Sequence, residues 1–197
     1  MKITAKMVKD LRDTTSAGMM DCKRALGETE GDFDKAVDLL RQKGLAVAAK
    51  RAGRETSEGT IECYIHAGGK IAAMVELSCE SDFVAKTDGF KEFARELALH
   101  VAAVNPVALS REDVPEEIIA REKEIYVQQA IDSGKPENIV EKMVGGKMEK
   151  YLKEICLLDQ PFVKDPDFTI QQMITDLIGK MGESISIKRF SRFQVGA

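Results

Sequence analysis

Between residues 60 and 78 the chain alternates twice. Thr60 to His66 sets Ile61, Cys63 and Ile65 against Glu62, Tyr64 and His66, and Lys70 to Ser78 alternates again. Ala67-Gly68-Gly69 lies between them. A period of two is the mark of a half-buried strand, and a short glycine-rich link joins antiparallel neighbours, so this region predicts a β-hairpin. A hairpin cannot bury its apolar face alone. Helical patterns lie on both sides of it, so the fold class is α+β rather than all-α.

Upstream, residues 4–14 read as a helix that Thr4 can cap, with Met7, Val8 and Leu11 at helical spacing. Gly18 opens a second short helix. Cys22 and Leu26 share a stripe with Met19, while Met20 falls well off it. Gly27 and Gly31 break the chain. Asp32 then caps a third helix, with Phe33, Ala36, Val37 and Leu40 on one face and Gly44 as its stop. Three helices in so short a span make a minimal module, near the lower limit for a self-sufficient core. Ala46 to Arg54 reads as a basic helical linker.

Downstream, a long amphipathic helix from Phe90 to Val104 stops at Asn105-Pro106. Val114-Pro115 opens another, through Ala130, and Pro136 a third, to about Lys153, despite Gly145-Gly146. Gln160-Pro161-Phe162 and Asp165-Pro166 punctuate the chain. Thr169 can cap a helix to Lys180, and Ile185 to Val195 alternates as a terminal strand that closes the sheet. Two domains are expected: a helical module with its linker over 1–54, and an α+β core over 55–197.

Charge divides along the same line. Residues 1–54 carry 12 Lys/Arg against 8 Asp/Glu, and the remainder 17 against 25. Either two modules meet different partners, or this is ordinary surface variation. A net charge of -4 argues against a general nucleic-acid or membrane-surface binder. Met1 to Asp13 lacks the apolar stretch of a secretory signal, and no run approaches a membrane span, so a cytoplasmic protein is expected. Cys22, Cys63, Cys79 and Cys156 form no C-x-x-C pair and sit in apolar patterns, which predicts buried reduced thiols and no metal site. His100, inside Leu97-Ala98-Leu99-His100-Val101, reads as a structural histidine. No phosphate loop, H-E-x-x-H or G-x-S-x-G is present, so neither an enzyme nor a cofactor is expected.

What remains looks made for contact. Glu80-Ser81-Asp82-Phe83-Val84-Ala85-Lys86 puts a carboxylate, a large aromatic and a branched apolar residue where the chain should turn. Phe83 is either plugged into its own core or offered to a partner, and on the residues alone burial is favoured. Met20 is either a recognition residue or a plug for the small helical core. Lys9, Arg12 and Lys23 are ordinary solvated charges unless one steers a partner. Lys50-Arg51 and Arg54 leave a weak nucleic-acid alternative.

Thr14-Thr15-Ser16-Ala17-Gly18-Met19-Met20-Asp21-Cys22-Lys23-Arg24-Ala25-Leu26 closely resembles the N-terminal signature of the elongation factor Ts family. Ser81-Asp82-Phe83-Val84-Ala85-Lys86 resembles its second signature, in which Thr commonly replaces Ser81. Gly134-Lys135-Pro136, Glu141-Lys142-Met143-Val144 and Gln160-Pro161-Phe162 match its C-terminal half. The resemblance is collinear over essentially the whole chain, in the family's short form. It implies a UBA-like three-helix head, an α+β dimerisation core with a small antiparallel sheet, and a nucleotide-exchange factor for the translational GTPase elongation factor Tu. It also implies that Ser81, Asp82, Phe83 and Val84 wedge near the GTPase's switch and Mg²⁺ site, and that Val8, Lys9, Arg12, Met19, Met20 and Lys23 grip its nucleotide-binding domain. Long members carry two related core halves, so a homodimer, in a two-plus-two complex with the GTPase, is expected here. Nucleic acid and membrane are not expected partners.

Overall fold

The computed structural model describes residues 3–15, 17–51, 53–134 and 136–196, without the side chains of Glu137 and Asn138. Ser16 and Lys135, both within the motifs above, lie outside the described residues. The fold is α+β. Two compact units can be distinguished: one comprises the chain up to Ile61 with Glu76–Phe93 and Gln172–Lys188, the other Glu62–Val75, Ala94–Gln171 and Arg189 onward.

The first unit begins with three helices, α1 (Ala5–Thr15), α2 (Met19–Glu28) and α3 (Phe33–Arg51). Thr4 Oγ1 accepts from the Met7 N–H at 3.3 Å, and Asp32 accepts from the Lys35 N–H at 3.1 Å, so both expected caps are made. Val8, Leu11, Cys22, Ala25, Leu26 and Ala36 form the head's core, with Phe33, Val37 and Leu40 packed against it. Gly27 does not break α2, which runs one residue past it; the reversal falls at Gly31, whose φ of 86° suits glycine.

Gly44 does not stop α3 either. The helix runs through it and absorbs most of the expected linker. A glycine inside a helix disfavours it by up to about 1 kcal/mol relative to alanine. The helix passes close to α8 (Ile170–Met181) there, and the glycine this contact requires is the one on α8: a Cβ at Gly179 would lie 2.9 Å from the Gly44 Cα, whereas one at Gly44 would meet its nearest atom at 3.8 Å.

Strands β1 (Glu58–Ile65), β2 (Ile71–Cys79) and β5 (Ile185–Gln194) form an antiparallel sheet with β2 in the middle. The hairpin closes with the His66 N–H donating to the Ile71 carbonyl at 2.9 Å, and Gly68 and Gly69 both take positive φ. Ala73, Val75 and Leu77 of β2 are buried. The alternation of β1 is oriented against expectation. Its polar residues Thr60, Glu62 and Tyr64 are half-buried, while Ile61, Cys63 and Ile65 are exposed. Glu62 turns inward and pairs with Arg95 at 3.2 Å. Cys63 is therefore an exposed thiol, not a buried one.

In the second unit, the later part of α5 (Asp88–Val104) buries Ala94, Leu97, Ala98, His100 and Val101. Helices α6 (Glu116–Asp132) and α7 (Glu137–Ile155) pack on each other as a helical hairpin, and Gly145-Gly146 leaves α7 unbroken. Pro161 and Phe162 are more than punctuation: they form β3, which pairs antiparallel with β4 (Asp165–Thr169).

Candidate functional site: an exposed phenylalanine on a one-turn helix

Residues 82–85 are not an open turn but a single helical turn, α4 (Asp82–Ala85). Ser81 caps it, its hydroxyl oxygen accepting from the Val84 N–H at 3.5 Å. At the other end the Thr87 hydroxyl donates to the Val84 carbonyl at 2.8 Å. Successive helical residues point about 100° apart, so neighbours in one turn cannot all face inward. Val84 is 9% exposed and Ala85 is buried, and these two anchor the turn. Phe83 is thereby directed outward and is 81% exposed. Burial in the protein's own core, the outcome favoured by residue type, is therefore wrong for Phe83. A phenyl ring so open to water is unfavourable unless something covers it.

The base of the turn is pinned by two carboxylates. Glu183 accepts from the Ser81 hydroxyl at 2.6 Å and from the Ser81 N–H at 3.0 Å. Glu80 accepts from the Ser184 N–H at 2.7 Å, from Arg51 at 3.1 and 3.2 Å, and from Arg54 at 3.5 Å. The Ser184 N–H and then the two guanidinium groups hold the Glu80 carboxyl below its usual range, against the opposing effect of burial. Arg51 and Arg54, which suggested a nucleic-acid contact in the sequence, are thus engaged by Glu80. Asp82 stays partly open and pairs with Lys86 one turn on, at 2.5 Å. That hydrogen bond and charge raise the Lys86 ammonium above its ordinary value.

The head offers a second set. Met20 is 66% exposed, and Met19 and Lys23 are exposed on α2 as well, with Lys23 one turn on from both. Met20 does not plug the core. Lys9 and Arg12 are exposed on α1. Val8 differs from the other five: only 6% exposed, it belongs to the core beneath them and offers no side chain outward. Sequence reasoning missed Glu80, Glu183, Arg51 and Arg54 as supports for the turn. Their partners lie 26 to 104 residues away, and no local spacing signals such pairs.

Among the described residues no cluster of His, Cys, Asp and Glu could hold a metal ion. The thiols of Cys79 and Cys156 are buried and pushed up by that burial, which leaves them unreactive. His100 is buried and fully engaged. Among the described residues no helix is long and apolar enough to cross a membrane.

A family model described as Elongation factor TS matches residues 3–197. The chain belongs to the elongation factor Ts family. It is 68% identical to the Elongation factor Ts of Desulfotalea psychrophila over 197 residues, all of both chains. It is 58% identical to that of Carboxydothermus hydrogenoformans over 194 residues, covering 98% of this chain and 89% of that protein, and 59% identical to that of Desulfosudis oleivorans over 194 residues, covering 98% of each. As a member of that family it is a translation factor. The segment resembling the family's second signature is the one that forms α4 and projects Phe83.

Proposed function

We propose that this chain is a guanine-nucleotide exchange factor for elongation factor Tu, acting in the cytoplasm and without covalent chemistry. The observation that carries the reading is Phe83, an aromatic ring held out into water by a turn fastened at both ends. Such a ring is an anchor for an apolar pocket on a partner. Asp82, partly open beside it, exchanges its Lys86 pairing for hydrogen bonds that set the register of insertion. Ser81 and buried Val84 keep the turn rigid while this happens.

A translational GTPase holds GDP through a phosphate loop and a Mg²⁺ ion of its own. Insertion of Phe83 between helices near the GTPase's switch region displaces groups that hold that ion, and GDP leaves faster. The head grips the nucleotide-binding domain through Met19, Met20 and Lys23 on α2 and through Lys9 and Arg12, with Val8 supporting them from below. The exchange factor and the nucleotide weaken each other's binding by linkage, and GTP then refills the vacant site.

We further propose a homodimer. Glu62 pairs with Arg95, and Arg192 donates to the Ala102 carbonyl, so both face α5. Their neighbours Cys63, Ile65 and Phe193 therefore point to the other face of the sheet, where Met74 is also exposed. This open apolar face supports pairing with a second copy. Ile65→Asp with Phe193→Asp is expected to yield a monomer by light scattering; an unchanged mass would remove this face from the dimer.

The exchange reading is tested by stopped-flow release of a fluorescent GDP analogue from elongation factor Tu. Acceleration by the wild type, lost in a folded Phe83→Ala variant, is the expected result. No acceleration by the wild type overturns the reading.

A further inference from the structure

We propose that Glu80 is a positioning residue that locks the end of the head's third helix to the base of the Phe83 turn, so that the head surface and Phe83 reach one GTPase molecule at a fixed span. This rests on the exchange reading above.

The connection can be followed atom by atom. Phe33, Ala36, Val37 and Leu40 at the start of α3 belong to the head's core. From there α3 continues unbroken to Arg51, a rigid rod about 28 Å long at the usual rise per residue. At its far end Arg51 meets both oxygens of Glu80, and Arg54, just past the helix, meets one. Glu80 immediately precedes Ser81, the cap of α4, so the guanidinium groups act one residue from the turn. The same carboxylate takes the Ser184 N–H, which fixes the segment that carries Glu183, the second support of Ser81. The approach of Gly44 to Gly179 holds α3 at mid-length. Head, rod, ion pairs and turn thus form one mechanical path.

A molecule that binds through two surfaces gains from the second only when the span between them matches the target. Flexibility at the joint would let the head dock while Phe83 misses its pocket. Arg54 is half-exposed, and an ion pair so open to water adds little to folding, whereas Arg51 and Glu80 are mostly covered and hold one arrangement. They also define a position, because a single Arg51 nitrogen, Nη1, lies within hydrogen-bond distance of both Glu80 carboxylate oxygens.

The test compares wild type with Glu80→Gln, with Arg51→Gln/Arg54→Gln, and with all three changes together. The readouts are the maximal rate of GDP release from elongation factor Tu, the concentration giving half that rate, and the melting temperature. Loss of the joint is expected to lower the maximal rate about fivefold in each variant while the half-maximal concentration moves less than about twofold. The triple variant should fall no further, since one coupling is removed in every case. A purely structural role predicts the opposite pattern: a smaller folded fraction raises the half-maximal concentration and leaves the maximal rate intact. That outcome, or variants indistinguishable from wild type, overturns the inference alone. If Glu80→Gln fails to fold, the paired arginine variant decides, because it keeps the Glu80 bond to Ser184. A wild type that does not accelerate release overturns the exchange reading and this inference with it.

Discussion

Around Phe162 and around Phe83 the chain builds hydrogen-bonded clusters of similar size, yet one ring is buried and the other is open to water. Beside Phe162, the Val163 N–H donates to His100 Nδ1 at 3.2 Å, so Nε2 carries the proton and donates to Gln160 Oε1 at 3.0 Å. The Gln160 amide donates in turn to the Glu154 carbonyl at 2.6 Å. His100 and Gln160 are buried, and the Phe162 ring lies 5.9 Å from the imidazole. Every polar atom there must be satisfied internally, because water does not reach it. Beside Phe83, the bonds of Ser81, Glu183 and Glu80 run to backbone and to partly open side chains. They fasten the base of the turn and leave the ring outside. A polar cluster under an aromatic makes a core specific; one at the foot of an aromatic turns it into a presented surface.

The largest expected contrast follows from truncating the two rings. Phe162→Ala should lower stability by about 3–5 kcal/mol, read by denaturant unfolding, because it opens a cavity over a buried polar network. Phe83→Ala should change stability by less than about 0.5 kcal/mol, as exposed positions do. It should nevertheless slow exchange about thirtyfold, the loss of about 2 kcal/mol at an interface anchor. Equal unfolding penalties for the two variants would erase the distinction.

Backbone packing gives a second, smaller contrast within one contact. Gly179→Ala brings a Cβ to 2.9 Å from the Gly44 backbone and should cost about 1–3 kcal/mol. Gly44→Ala meets its nearest atom at 3.8 Å, so the gain in helix propensity should leave it neutral or stabilised by up to about 1 kcal/mol. Thermal unfolding of both variants checks the asymmetry.

Much of the architecture was legible in the sequence because period and punctuation are local. Thr4, Asp32 and the Gly68-Gly69 turn act where their neighbours predict. Two of the misreadings come from contact between segments far apart in the chain. Gly44 looked like a helix stop because its partner, Gly179, is invisible at short range. The apolar side of β1 looked like the inner face, but Thr60, Glu62 and Tyr64 take it, with Glu62 paired to Arg95 thirty-three residues on. Phe83 looked like a core residue by type. Only the one-turn geometry, with Val84 and Ala85 taking the buried positions, shows why it is not. The site itself was legible as a set of residues, chiefly through family resemblance; its supports at Glu80 and Glu183 were not.

Acidity separates the clusters by pH window. Burial holds His100 below its ordinary 6.5, outweighing the opposite pull of Gln160. The unfolded chain therefore binds a proton near that pH that the folded chain refuses. Stability from this group is complete above about pH 6.5 and declines as the pH falls below it. Glu80 is also held below its ordinary value, here 4.5, so its contribution is complete above that pH and is lost only as the pH falls toward its folded value. Melting temperatures taken downward from neutral pH should fall first through His100. A His100→Asn variant should flatten the slope as the pH falls below about 6.5; an unchanged slope would assign it to other groups.

The smallest expected effect belongs to the head. Met20 is exposed beside a core that is already closed by Leu11, Cys22, Ala25 and Leu26, so Met20→Ala should leave the melting temperature within about a degree of wild type. If this part of α2 is a contact surface, the same change should weaken binding to nucleotide-free elongation factor Tu by about 1 kcal/mol, roughly fivefold. Val8→Ala is its counterpart from the inner side of the same module. It removes buried volume and should lower the melting temperature of the head, with any loss of affinity tracking the loss of folded protein. Titration by calorimetry, with the folded fraction measured on each sample, separates the two. Loss of affinity without loss of fold in Met20→Ala would make the head a second presented surface alongside the Phe83 turn. Unchanged affinity would leave Phe83 as the anchor and reduce the head to a carrier for α3.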